Sequence, residues 1–318
     1  MADSPRADTL LARAQQAVAD ATKAGASGAW ATATKSRSSE LVLRDGKIEK
    51  VQASTSRSLS LQVYADGRYS SHTTTDLTPD RLARFVADAV ALTKALPVDP
   101  FREMPDAALF AGRSTTDLGL VDPTIDAVTP AQREQWALAM DAACRTDTRV
   151  LSATSYVSDD ASEGAAASSN GFTGTWGGTG AWLTAEVTVK DEGDKRPEGL
   201  WYMGARRLAA LPDPTRVGKL ALENALLRLG AAKGPTVRTA MIVDPRAAGN
   251  LVARLLQPNN AGLIFQGRSF WGGKLGQKLL SEKLTITDEP LLPGGFASRH
   301  FDGEGIAARP RDIVRDGV

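Results

Sequence analysis

At 318 residues the chain is long enough for two domains with their own cores. Its 38 Lys and Arg balance 37 Asp and Glu, and a net charge of +1 leaves no electrostatic footprint for a nucleic-acid duplex or an anionic membrane. The 42% hydrophobic and 24% charged fractions are ordinary globular usage and exclude wholesale disorder, while 6% aromatics point to a core of small and aliphatic side chains.

Five segments open like helices. Ser4-Pro5 is a cap followed by proline at the first helical position, where a missing N–H costs nothing. Leu10, Leu11, Ala14, Ala17, Val18 and Ala21 then form one stripe, which Gly25 ends. Asp45-Gly46 is a hairpin turn between strand segments at 41–43 and 48–51, because both positions tolerate positive φ. Leu59, Leu61 and Val63 alternate with polar residues as a half-buried strand, and Asp66-Gly67 turns it back. Thr78-Pro79 starts the second helix, closed by Leu96-Pro97, and Thr129-Pro130 the third, which carries Trp136, Met140 and Cys144. Asn170-Gly171 marks another hairpin, and 182–189 alternates again. A fourth helix runs from about Thr215 to Gly230. The run at 239–243 reads as a buried strand, and Asp244-Pro245 begins the fifth helix, closed by Pro258. Helices bracket hairpins instead of alternating with single strands, so the class is α+β with antiparallel sheets. The expected divisions are an N-terminal α/β domain over 1–105, a middle domain with hairpins over 106–230, and the start of a β-rich domain over 231–318.

Few residues could carry chemistry. Cys144 is the single cysteine, which excludes an intramolecular disulfide and a thiolate zinc site, and its place on an apolar helix stripe reads as an inert buried thiol. There are two histidines, His72 and His300, without ligand spacing. His300 with Asp302 and Glu304, near Asp288 and Glu289, is the one cluster that could hold a divalent ion, although acids in polar loop sequence are usually solvated. There is no Gly-x-Ser-x-Gly elbow, and Gly272-Gly273-Lys274 lacks the residues a phosphate loop needs. The N-terminus has no signal-peptide pattern and no apolar run reaches membrane-spanning length, so a cytoplasmic location is expected.

The most informative stretch begins at Phe265 and reads Gln-Gly-Arg-Ser-Phe-Trp-Gly-Gly-Lys-Leu-Gly. Ser269, Lys274-Leu275-Gly276, Leu284-Thr-Ile-x-Asp288, Phe301-Asp302-x-Glu304-Gly305 and Asp316-Gly317-Val318 follow in order. Together with the Asp45-Gly46-Lys-Ile-Glu49 hairpin and the Thr78-Pro79 helix, this pattern resembles the TldD/PmbA family, once called modulators of DNA gyrase, in its PmbA or TldE branch. The resemblance implies an N-terminal α/β portion and a C-terminal portion on a curved antiparallel sheet. It also implies a heteromeric protease in which a TldD-type subunit supplies a helix with His-Glu-x-x-x-His. Two imidazoles there hold zinc and the glutamate activates its water.

This chain departs from that pattern. Its corresponding helix reads Gly249-Asn250-Leu251-Val252-Ala253-Arg254-Leu255, with no His and no Glu. No catalytic or metal residue carries over, and zinc is expected in a TldD-like partner, not here. The expected role is a non-catalytic subunit that orients unfolded peptide, with no direct contact to nucleic acid or membrane. The contact region is 265–271 with 288–304, and the candidates are Phe265, Ser269, Phe270, Trp271 and Asp288. Family chains continue past the Asp-Gly-Val segment, so the resemblance also implies a C-terminally shortened chain with an incomplete last sheet. Two rival readings are an independent metallopeptidase using His300, Asp302 and Glu304, and a regulator of DNA gyrase.

Overall fold

The computed structural model describes residues 5–318, so the Ser4 cap lies outside the described residues. In chain order the elements are α1 (Pro5–Lys23), β1 (Gly28–Arg44), β2 (Lys47–Ala65), β3 (Arg68–Thr74), α2 (Pro79–Lys94), α3 (Pro130–Cys144), β4 (Val150–Ser168), β5 (Thr173–Val189), β6 (Glu198–Ala205), α4 (Pro214–Leu226), α5 (Pro245–Leu256), α6 (Ala261–Phe265), β7 (Ile286–Asp288) and β8 (Arg311–Val314). The fold is α+β and its ladders are antiparallel. Asp45 and Gly46 both take positive φ at the β1–β2 turn, as do Asp66 and Gly67 at β2–β3, which is what those dipeptides supply.

Contacts divide the chain into two units. One holds the residues up to Gly230 together with Pro290–Ala308; the other holds Ala231–Glu289 and Arg309–Val318. The first is built on a six-stranded sheet of order β3-β2-β1-β4-β5-β6, in which β1 pairs with β4. Alternate residues of a strand face one side, and Ala29, Ala31, Ala33, Leu41 and Leu43 of β1 are all buried on the helix-bearing side. The three alanines lie with Leu59, Leu61 and Val63 beneath α1 and α2. The two leucines lie with Val157, Leu183 and Val187 beneath α3 and α4. α3 and α4 pack closely enough that a Cβ on Gly218 would stand 2.3 Å from the Met140 carbonyl oxygen.

Between the two helix pairs the same side of the sheet turns polar. The Asp159 carboxylate, with no exposed surface, takes Arg37 Nη1 at 2.9 Å and Arg133 Nε of α3 at 2.5 Å. Arg37 also pairs with Asp126 at 3.0 Å.

Cys144 is fully buried and its Sγ lies 3.6 Å from the Gly218 carbonyl oxygen. Burial pushes its thiol up to about 12. Because the thiolate is the reactive form, Cys144 is expected to resist a maleimide at pH 8 in the folded protein and to react within minutes in denaturant. Rapid labelling of the native chain would contradict this burial.

The second unit is thinly packed. No residue from 231 to 289 is buried, and its strands are the short antiparallel pair β7 and β8. The buried strand expected over 239–243 does not form: the segment is irregular, with Met241 75% and Ile242 99% exposed. An apolar run becomes a strand only beside another strand that takes up its backbone groups, and no described strand lies next to it. No helix among the described residues is long and apolar enough to cross a membrane.

Candidate functional site

The residues singled out for peptide contact fall in the second unit. α5 starts at Pro245, with the Asp244 carboxylate accepting from the Arg246 N–H at 2.9 Å. At its other end the Leu255 carbonyl, one of the orphan acceptors of a helix terminus, receives the Trp271 indole N–H at 2.9 Å. Ser269 fixes that arrangement: its hydroxyl donates to the Pro258 carbonyl and accepts from the Trp271 N–H at 3.0 Å. Phe270 and Trp271 have ring centroids 5.0 Å apart. Phe265 is 93% exposed at the end of α6. Asp288 closes β7 and pairs with Arg311 of β8 at 3.5 Å. An open cleft of about 560 Å³ lies beside the end of α5, lined by Leu256, Gln257, Asn259, Asn260, Leu263 and Ile313. Ser269 and Trp271 therefore shape this region from within, while Phe265 and Phe270 offer apolar surface.

The stretch 290–308 belongs to the first unit, so it is described with the sheet. His300 Nε2 is 2.8 Å from the Thr116 carbonyl oxygen. A single Asp302 carboxylate oxygen accepts from the Glu304 and Ile306 N–H groups at 3.0 Å each, a tight local turn. His72 Nε2 is 2.7 Å from the Ser70 hydroxyl. Among the described residues no three His, Cys, Asp or Glu side chains come together as a metal site. The donor set does not fit hydrolytic zinc: α5 has no ligand side chain, and the ring nitrogen of His300 facing the protein is taken by a carbonyl.

The helix-free side of the main sheet holds features the sequence reading missed. At one end Trp30 stacks on Phe172 at 4.6 Å, with Phe110 and Phe301 edge-on to Phe172 at 5.2 Å each. At the other, Trp182 stacks on Phe296 at 4.7 Å. Glycines make room for these rings: a Cβ on Gly164 would stand 2.2 Å from Trp176, and one on Gly204 2.3 Å from Trp182. Between the aromatic ends runs a row of hydroxyl pairs, Thr34–Ser58, Ser36–Ser56 and Ser38–Ser54, at 2.9, 2.7 and 2.8 Å. A small polar hollow of about 150 Å³ includes Ser38, Glu40, Gln52, Ser158 and Asp160. Burial raises the Asp160 carboxyl above its usual range, against the pull of nearby Arg206. The signal for this surface was the spacing of glycines at 174, 178 and 180 among tryptophans, which is a strand pattern and not a loop one.

The first unit is an α+β scaffold on a six-stranded antiparallel sheet, and the second carries α5, which has no metal-ligating side chain. The chain belongs to the PmbA/TldA metallopeptidase family: it matches domain 1 over residues 32–93, the central domain over 123–229 and the C-terminal domain over 236–318. The metalloprotease PmbA of Escherichia coli O157:H7 is 29% identical over 294 residues, 92% of this chain and 64% of that protein. A metalloprotease of Methanothermobacter thermautotrophicus is also 29% identical over 294 residues, and 61% of its length is covered. The chain thus spans less than two thirds of these curated relatives. A crystal structure from Bacteroides thetaiotaomicron, described as a candidate modulator of DNA gyrase, superposes with a TM-score of 0.91 at 32% identity, over 96% of this chain and 70% of that one. TldE from Thermococcus kodakarensis shares the fold, with a TM-score of 0.78 at 16% identity over 96% and 68% of the two chains.

Proposed function

We propose that this chain is a PmbA/TldE-type, non-catalytic subunit that helps hold unfolded peptide for a zinc-bearing TldD-like partner. One observation carries the reading. Within a metallopeptidase family, α5 has neither of the two imidazoles nor the carboxylate that hydrolysis requires, and His72 and His300 stand 228 positions apart in the chain. Cleavage is then the partner's chemistry. The apolar surface of Phe265 and Phe270 suits an unfolded chain, whose apolar side chains are uncovered. The gyrase-modulator description of structural relatives finds no support in charge, since a net of +1 offers little attraction for DNA.

The reading is tested by affinity capture. The tagged chain, expressed in cells that also make a TldD-like protein, is expected to recover that protein in fixed ratio through a high-salt wash. Recovery of the tagged chain alone, under conditions where it is folded by circular dichroism, would contradict the proposal.

A further inference from the structure

One long edge of the main sheet is open. β3 pairs with β2 only between Leu59 and Ala65, so from Lys47 to Ser58 the outer side of β2 has no neighbouring strand. β3 stops at Thr74 because the chain turns there: the Thr74 hydroxyl accepts the Asp76 N–H, and the Asp76 carboxylate takes both the N–H and the hydroxyl of Thr78 at the start of α2. In an antiparallel ladder alternate residues direct both N–H and C=O to the same side. Every second residue of 50–58 therefore presents an unpaired donor and acceptor outward. Residues 47–57 are exposed on both faces of the sheet. The opposite edge is guarded. There, Asn224 of α4 donates to the Leu200 carbonyl at 2.9 Å, and a Cβ on Gly199 would stand 2.2 Å from the Ala225 nitrogen.

The side chains along the open edge say what fits it. Val51, Ala53 and Thr55 line one face and Gln52, Ser54 and Ser56 the other, and the serine hydroxyls are already held by β1. Small side chains on both faces impose little selection on a neighbour's side chains, so recognition is by main chain. Charges flank this uncharged stretch. Lys50 and Glu49 are engaged within the hairpin by Glu40 and Arg44, whereas Lys47 and Arg57 take no ion pair among the described residues. Arg57 moreover stands directly opposite Lys35. A second copy of this chain would bring the same positive excess against itself; an acidic strand would complement it.

We infer that the outer edge of β2, over 50–58, binds an extended acidic stretch of another polypeptide as an added strand, in line with β3 and beyond its end at Thr74. About nine residues, some 30 Å of extended chain, fill it. This site lies in the first unit, whereas Phe265, Ser269, Phe270, Trp271 and Asp288 belong to the second, and it needs no partner subunit.

The probe is a fluorescein-labelled, acetylated nine-residue peptide of alternating Glu and Thr, added to the whole chain. Anisotropy should show saturable binding, and amide exchange at 50–58 should slow. N-methylating one alternate set of peptide amides should weaken binding at least tenfold, and methylating the other set should have little effect, because only one set faces β2. The exposed double substitution Lys47→Glu/Arg57→Glu should lower affinity about tenfold while leaving circular dichroism unchanged, and should reverse the preference towards a Lys-Thr peptide. Equal indifference to both methylated sets, or no protection at 50–58, would overturn the inference. So would sedimentation showing that the edge is filled by a second copy which the peptide does not displace. Failure of the partner-capture experiment leaves this result untouched, since binding is read on the chain alone.

Discussion

Replacing Asp159 with alanine is expected to cost the sheet-bearing unit about 3–5 kcal/mol, the usual penalty for removing one member of a buried ion-pair network. The reason lies in the position of Asp159 between two apolar cores. The α1–α2 and α3–α4 pairs each cover one end of the sheet, and the gap between them is filled by Arg37, Asp159 and Arg133. The carboxylate is fully enclosed and Arg133 nearly so, so its removal leaves Arg133 buried without a counter-charge and Arg37 with Asp126 alone; Arg37 already has one buried nitrogen, Nη2, lacking a hydrogen-bond partner. Asp159→Asn should cost less, because its amide oxygen still accepts one of the two bonds. The triple substitution Arg37→Met/Asp159→Leu/Arg133→Met should recover most of the loss, since it removes the charges as well as the pairing. Urea unfolding followed by far-ultraviolet circular dichroism reads all three. A loss below about 1 kcal/mol for Asp159→Ala would mean that the network does not tie the helix pairs together.

Much of this scaffold is legible in the sequence because its punctuation is local. Proline at the first helical position marks α2, α3 and α5, and α4 opens in the same way at Pro214. The Asp-Gly turns take the positive φ that those residues tolerate. Strand length was not legible. β1 and β2 run for 17 and 19 residues, but their middle portions, rich in serine and threonine, have no apolar alternation to follow. The helix-free side pairs hydroxyls there, while the helix side carries charge; neither produces a period-2 hydrophobic signal. The 290–308 stretch was opaque for another reason. It docks through single contacts distant in sequence, such as the Gly294 N–H to the Leu118 carbonyl at 2.7 Å and Phe301 against Phe172. The 239–243 run misled because hydrophobicity and β-propensity mark a strand only where a ladder exists to receive it.

The candidate site divides in the same way. Ser269 and Trp271 stand out by residue type and motif, and their hydrogen bonds to the Pro258 and Leu255 carbonyls give them a physical task at the end of α5. His300, Asp302 and Glu304 also stand out by type, yet His300 meets a carbonyl and Asp302 holds a backbone turn. Closeness in sequence placed these groups in one loop without converging their side chains, and a metal site needs convergence.

The second large effect concerns activity. On this account the chain contributes peptide handling, and the hydrolytic centre belongs to a partner, because no pair of imidazoles on one helix face is available to hold zinc and lower the pKa of its water. His300→Ala should then leave metal content and any proteolysis by the assembly unchanged, costing only the stability of its bond to Thr116, about 1 kcal/mol. The most direct measurement is cleavage of an unfolded peptide by the purified chain supplied with zinc, alone and after addition of a purified TldD-like subunit. No cleavage by the chain alone is expected, and cleavage by the mixture should be abolished by a chelator. Peptide hydrolysis by the chain alone, lost on chelation and restored by zinc, would contradict it.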